Sequence, residues 1–470
     1  MNLFAKAKEL KLPARATLWY MVAAIIGKGV GFLSTPFFTR LMSGEEYGVF
    51  TLYLTILGVG SVICSAVYSG SGVYRAMQVY KNEIDSLIKS ILCVTIAFSM
   101  AFCLLLFAFS LFFDLNRYIL LPISLQLLCD GIVGVLYSKA RFSYSYFVIC
   151  TMSLISSVLP PVISVGILFF GGGAAVRIYS LLFVSVILAL YAMIKLIYMS
   201  KGSRASLIRY SFRQALPILP HSVSSALSGQ SDKLIIGAIA GSISLAKYSV
   251  AHSLGAATSF LGVAVGSALH PWIIRRLEGG RIMEIREVLT PVFSFLCAFS
   301  LMPVIFAPEL IRILAPLEYS DAVVAVLPIA LSCPPSFLIA TENVGLVYKG
   351  KGKFTATLAI MIAVISVACS LAFTLLLGYF GAGLALLLSQ TAGAALSYYF
   401  VRKSGILELF KLRELSLIFV FTSFVGLLAL LLSDFLALRV ILLIVPTVML
   451  LNLFFGYGQA VFDKKISHPA

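Results

Sequence analysis

Residues 130–143, DGIVGVLYSKARFS, align without a gap on residues 342–355, ENVGLVYKGKGKFT. An acid falls on an acid (Asp130, Glu342), and Lys139, Arg141 and Phe142 fall on Lys351, Lys353 and Phe354. Two weaker echoes flank this one. GGGAA at 171–175 meets GAGLA at 381–385, two residues out of step, and EYGVF at 46–50 meets KYSVA at 247–251. A repeat at an offset of roughly 200 to 212 residues marks a duplicated chain, a construction common among membrane transporters.

The composition identifies the medium. Hydrophobic residues make up 60% of the chain and charged residues 11%, with a mean hydropathy of +1.04. A soluble domain carries about 25% charged residues, so a soluble fold is excluded. Apolar runs of about twenty residues recur from end to end, each long enough to cross a hydrocarbon core as a helix. They read as an all-α polytopic membrane protein of about fourteen spans: 16–38, 47–69, 89–113, 118–138, 144–170, 177–198, 214–240, 245–272, 287–307, 322–348, 354–377, 383–401, 414–432 and 439–462. The N-terminal segment lacks a short apolar core followed by a small-residue cleavage site, so the first span is expected to be retained.

The basic residues test the count, because short cytoplasmic loops hold the excess of Lys and Arg. With a cytoplasmic N-terminus, the inner loops collect Lys6, Lys8, Lys11 and Arg15; Arg75, Lys81 and Lys89; Lys139 and Arg141; and Lys195, Lys201, Arg204, Arg209 and Arg213. Further along they collect Arg275, Arg276, Arg281 and Arg286; Lys349, Lys351 and Lys353; Arg402, Lys403, Lys411 and Arg413; and Lys464 and Lys465. That is 27 of the 35 basic residues, against six outside (Arg40, Arg117, Arg177, Lys247, Arg312, Arg439) and two inside spans, Lys28 and Lys233. The net charge of +16 is therefore a topology signal and not a sign of nucleic-acid binding. Both termini are expected in the cytoplasm.

Spans one to six match spans seven to twelve in a common orientation, so the expected architecture is two homologous six-helix lobes around a central cavity, with a C-terminal helix pair outside the duplication. The expected boundaries are 1–200, 201–401 and 402–470. An ionisable residue at mid-bilayer costs about 2.5–3.5 kcal/mol on insertion scales, so it faces a cavity or a partner. Lys28 shares a helix face with Thr17, Thr35 and Thr39. In the duplicate span, LPILPHSVSSALSGQSDKLIIG, one face carries His221, Ser225, Ser228 and Asp232, with Lys233 one step round. These six, Lys28, Lys233, His221, Ser225, Ser228 and Asp232, are the candidate cavity residues. A purely structural pairing of Lys28 with Asp232 or Asp130 is the alternative. Asp130 and Glu342 fall at duplicated positions inside spans and are the candidates for coupling to a proton or a cation. Gln126, Asp130, Tyr137 and Arg141 share one helix face.

Chemistry of other kinds finds no support. GLVYKGKG at 345–352 fits G-x-x-x-x-G-K, yet Gly352 stands where a phosphate loop needs Ser or Thr, and the stretch follows a span instead of a strand. The eight cysteines show no CxxC pair and no His at metal-ligand spacing, so no metal or cofactor is expected. A membrane polymerase or ligase would keep a large outer loop, and the longest here, about 307–322, is too short.

FLSTPFFTRLMSGEEYGVFTLYLTIL near the start and SDKLIIGAIAGSISLAKYSVAHSLGAATSFLGVAVGSALHPWI in the middle resemble the Wzx-type oligosaccharide repeat-unit flippases of bacterial O-antigen and capsule synthesis. These belong to the multidrug, oligosaccharidyl-lipid and polysaccharide exporter superfamily. The resemblance implies transfer of undecaprenyl-pyrophosphate-linked glycan from the inner to the outer face of the bacterial inner membrane by ion-coupled alternating access, without enzymatic activity. It implies membrane lipid, a polysaccharide polymerase and chain-length machinery as partners, and a cationic cavity to which Lys28 and Lys233 would contribute. A cation-coupled exporter of drugs or small molecules on the same fold is the alternative.

The charge pattern makes a direct prediction. A reporter inserted after Lys349 should report the cytoplasm and one inserted near Glu318 the opposite side; the same side for both would break the alternation.

Overall fold

The computed structural model describes residues 12–444 apart from 70, 112–116, 200, 201, 203, 406–409, 433, 434 and 443. Its described residues form helices that divide into two compact units, Met1–Gln230 and Ser231–Ala470. The first contains α1 (Leu12–Leu41), α2 (Gly44–Ser65), α3 (Ser71–Val79), α4 (Ile84–Ser110), α5 (Arg117–Phe142), α6 (Tyr146–Leu168), α7 (Gly173–Met199) and α8 (Ala205–Ala215). α9 (Leu219–Ile239) begins in the first unit and ends in the second. The second continues with α10 (Gly241–Gly255), α11 (Ala257–Glu278), α12 (Ile282–Ile305), α13 (Ala307–Leu314), α14 (Val323–Leu331), α15 (Cys333–Tyr348), α16 (Gly352–Lys403) and α17 (Leu412–Leu431).

Eleven of these stretches are long and apolar enough to cross a membrane, judged by length and composition among the described residues. The expected fourteen differ for identifiable reasons. α9 is a 21-residue helix, but His221, its serines, Asp232 and Lys233 make it too polar to count. The eighth span breaks at Ala256 into α10 and α11, of which α11 is counted, so this break leaves the number unchanged. The eleventh and twelfth run together as the 52 residues of α16, about 78 Å if straight, far beyond a hydrocarbon core of about 30 Å. Gly378 resolves this: at φ 61°, ψ −145° it interrupts the helix in a region that side chains other than hydrogen rarely enter. The fourteenth span, 439–462, falls mostly outside the described residues, as do the N-terminal lysines, Lys201, Lys464 and Lys465.

Local signals set the helix ends. Ser43 and Glu46 form a reciprocal capping box at α2, with the Glu46 amide donating to Ser43 Oγ at 3.2 Å and the Ser43 amide to Glu46 Oε2 at 2.8 Å. Each unit then closes around the helix that carries the duplicated acid. In the first, α5 packs against α2, α4 and α7. In the second, α14 and α15 pack against α10, α11, α12 and α16. Spans two, three and six therefore surround span four, and their duplicates surround span ten. Leu87, Ile88, Val135 and Ala192 lie at the centre of the first core, and Ile285, Leu289, Phe293 and Cys297 at the centre of one in the second.

Long-range ion pairs respect the alternation of loops. Asp85 with Lys139 at 2.8 Å, Glu83 with Arg204 at 2.5 Å and Glu284 with Arg276 at 3.0 Å each join two residues assigned to the Lys- and Arg-rich side. Asp321 with Lys247 at 2.7 Å and Glu309 with Arg439 at 2.5 Å each join two residues assigned to the other. Arg439, in a helical segment after α17, is 2% exposed and donates from Nη1 to the Ile305 carbonyl and from both terminal nitrogens to Glu309. It therefore ties the segment after α17 to the end of α12 and to α13.

Those hydrogen bonds from Arg439 hold the Glu309 carboxyl below its ordinary range. A lowered folded-state value contributes stability that is complete above the unfolded carboxyl value of about 4.3 and is lost as pH falls through the folded one. Glu309 is more than a third exposed, so Glu309→Gln should cost only about 1–2 kcal/mol at pH 7. Thermal unfolding in detergent should show the wild type losing stability between about pH 5 and 3 and the variant losing less over that range. Parallel profiles would contradict the pairing.

Candidate functional site

The first unit holds a polar cavity of about 280 Å³, lined by Tyr68, Ser69, Asp130, Tyr137, Ser138, Arg141, Ser156 and Ser185 among small apolar neighbours. The face read from the sequence of α5 accounts for three of these residues, Asp130, Tyr137 and Arg141. Gln126, the fourth, is buried behind Asp130, where its Oε1 accepts from Tyr53 OH at 3.1 Å and its Nε2 donates to Ser185 Oγ at 2.8 Å. Ser185, which accepts from the Gln126 amide, lines the cavity together with Asp130. Asp130 lies eleven residues, about 16 Å of helix, from Arg141 near the end of α5. The cavity therefore extends from near the helix end to a carboxylate deep in the bundle, with room for several waters of about 30 Å³ each.

The second unit repeats the chemistry in a closed form. Glu342 on α15 is 3% exposed, and its Oε2 accepts a hydrogen bond from Ser397 Oγ on α16. Ser397 follows Glu342 by 55 residues, as Ser185 follows Asp130. In each unit, then, the acid of the fourth helix of the repeat meets a serine of the sixth. Sequence reading missed the serines because the GGGAA and GAGLA motifs ahead of them lie two residues out of step. Carrying the gapless register of the acids forward would have aligned Ser185 with Ser397.

The other candidates sit in less uniform surroundings. Lys28 is exposed on α1, next to a close approach of α1 to α6, where a Cβ on Gly27 would lie 2.7 Å from Ser157 Oγ. The polar face expected around Lys28 is not continuous. Thr35 and Thr39 are buried, and their hydroxyls donate to the carbonyls of Gly31 and Thr35 in their own helix; the side chain of Thr17 lies outside those described. On α9, His221 and Ser225 are exposed, Ser228 and Lys233 are half-buried, and Asp232 is buried. Asp232 accepts from Tyr248 OH on α10 at 2.5 Å and from the Lys233 amide at 2.8 Å. Beside it, Ser231 hydrogen-bonds Ser366 at 3.2 Å, and the Tyr248 ring stands 5.8 Å from that of His252. The α9 stripe therefore divides into an exposed half and a less exposed end where Asp232 is held by Tyr248 in the second unit.

The phosphate-loop lookalike is a helix terminus. The Gly350 and Lys351 amides return to the Val347 and Leu346 carbonyls, and Gly350 adopts φ 68°, the arrangement that ends α15.

With this arrangement in view, the polysaccharide biosynthesis protein family matches residues 14–276, more than half the chain. The chain belongs to this family. No curated protein matches it. Among solved structures it is similar to lipid II flippase MurJ in an inward closed conformation, at 14% identity and a TM-score of 0.73, covering 93% of this chain and 99% of that one. An inward-facing multidrug resistance MATE family transporter of the MOP superfamily matches at 12% identity and a TM-score of 0.54, over 83% of this chain and 97% of that one. A MOP superfamily transporter from Pyrococcus furiosus gives 13% identity and 0.53 over 83% and 95%. Such identities establish a shared fold, and the family member has the helical fold of these transporters.

The two acids differ in access, which thiol chemistry can read. In membranes, Ser156→Cys in the cavity should gain a water-soluble maleimide, whereas Ser397→Cys, at a fully buried position, should not. Equal labelling of both, counted as added mass over the native cysteines, would contradict the geometry.

Proposed function

We propose that this polysaccharide biosynthesis family member is a flippase that moves undecaprenyl-pyrophosphate-linked oligosaccharide repeat units from the cytoplasmic to the outer face of the bacterial inner membrane. The observation that carries the proposal is the family match on a chain whose fold follows, over 93% of its length, that of a protein named a lipid II flippase. A flippase makes and breaks no covalent bond, so it needs orientation, charge compensation and a change of access. Lys28 and Lys233, with His221, Ser225, Ser228 and Asp232, are the groups we assign to the substrate, the lysines offering cations to the pyrophosphate. A diphosphate carries about two negative charges, which a lysine offsets more strongly where water is scarce.

Asp130 and Glu342 are assigned to coupling by a proton or sodium ion. Glu342 holds Ser397 on the sixth helix of its repeat and Asp130 shares a cavity with Ser185 on the sixth helix of its own, so a cation or proton bound at either acid would act where two helices meet. This gives an ion a way to bias helix packing. The repeat boundaries at residues 200 and 401, cytoplasmic termini, and cooperation with a polymerase and chain-length machinery belong to the same proposal. A cation-coupled small-molecule exporter is the second reading, favoured by the acids inside the helix bundles and by the MATE-type likeness.

A strain lacking its own flippase provides the test. Lys28→Ala should abolish surface polysaccharide while membrane abundance stays normal, and Lys28→Arg should retain part of it. Asp130→Asn or Glu342→Gln should reduce export at least tenfold, the loss expected when coupling of about 1.4 kcal/mol or more is removed. Restoration of export by pairing Lys28→Asp with Asp232→Lys or Asp130→Lys would assign Lys28 a structural role instead. Normal glycan export with altered drug resistance in all these variants would favour the exporter.

A further inference from the structure

The first unit carries a surface outside the residues assigned above to the substrate. α3 and α8 are short amphipathic helices at one end of the bundle, adjoining the ends of α2, α4 and α7, which are all long and apolar enough to cross a membrane. α8 buries Leu207, Ser211 and Ala215, spaced four apart, and packs on α4. Aromatic contacts fix it there: Tyr210 meets Tyr80 edge-on at 5.3 Å, and Phe212 meets Phe98 at 5.8 Å. The start of α3 touches the end of α8, since a Cβ on Gly72 would lie 2.3 Å from Gln214 Nε2. The two helices thus form one platform.

Its outer face mixes cations with apolar groups. Arg209, Phe212, Arg213 and Leu216 are exposed at helical spacing on α8, and Arg75, Val79 and Lys81 are exposed on and after α3. The nearby carboxylates are already engaged, Glu83 by Arg204 and Asp85 by Lys139. Among the described residues, neither Arg209 nor Arg213 has an ion-pair partner. A helix with one packed face, and with Phe and Leu set between arginines on the other, suits the boundary where acyl chains meet phosphates.

We propose that this platform binds the headgroups of anionic phospholipids, with Arg209 and Arg213 at the phosphates and Phe212 and Leu216 in the upper acyl region. Charge complementarity selects the occupant: the face is cationic, lacks free acids and adjoins spans, where an anionic leaflet presents a layer of phosphate. The contact would anchor α8, the segment leading into α9, to the membrane surface. It holds whether or not the chain carries glycans.

Hydrogen exchange of the full-length protein in nanodiscs tests this without transport. In phosphatidylcholine mixed with phosphatidylglycerol, α8 amides should exchange roughly thirtyfold more slowly than in phosphatidylcholine alone, given about 1 kcal/mol for each of two arginines near an anionic surface. Arg209→Gln with Arg213→Gln should erase the difference, while Arg209→Lys with Arg213→Lys should keep most of it. Buried α4 amides report whether each variant remains folded, and the wild-type comparison of two lipids requires no variant. Equal α8 exchange in both lipids overturns the proposal. So does protection found only in native membranes, which would point to a protein partner.

Discussion

A carboxylate inside an apolar bundle must find its hydrogen bonds in the protein or in the few waters a cavity admits. Each unit of this chain meets that constraint in the same way. The acid sits on α5 or α15, each packed against several helices, and lies next to a serine on the last helix of its repeat. Moving either acid by one residue would turn it about 100° around its helix, away from the serine. The register between fourth and sixth helices is therefore specified by polar chemistry, on a surface where alternation of leucine, valine and alanine would tolerate slippage.

Hydroxyls elsewhere follow a quieter version of the same rule. Thr51, Thr55, Ser90, Thr95, Ser294 and Thr341 each donate to the carbonyl four residues back, so a buried hydroxyl is satisfied by its own helix and needs no neighbour. Serine and threonine on an apolar helix are thus poor indicators of a cavity. Lys28 shows the consequence, since the threonines sharing its face turned inward and bonded to their own turns. Charged groups have no such local solution, which is why Asp130, Glu342, Asp232 and Arg439 each reach another helix.

The legibility of the sequence follows this distinction. The medium, the duplication and the sidedness of loops depend on sums over many residues, and the helices and ion pairs agree with them. Gly378 breaks α16 in the gap expected between spans eleven and twelve, whereas Ala256 sets a break inside the eighth span that hydropathy alone does not place, and the polarity of α9 cannot be weighed without knowing what covers it. The positions of Asp130 and Glu342 were visible as matched acids. Ser185 and Ser397 were not, because a lone hydroxyl in an apolar helix carries no pattern of its own and gains meaning only from the acid it meets.

The two acid and serine pairs also show where duplication stops constraining the chain. Asp130 is half-buried and borders a cavity containing Arg141 and two tyrosines, whereas Glu342 is buried and Leu338 stands where the first repeat has Gln126. Gln126 joins Tyr53 and Ser185 in a polar network next to Asp130. Glu342 depends on a single side-chain hydroxyl. Removing one donor from a network leaves others to compensate, while removing the only donor leaves a buried carboxylate with no side-chain partner. Inherited geometry has thus been kept at both sites, but the first acid borders a cavity while the second lies closed between α15 and α16.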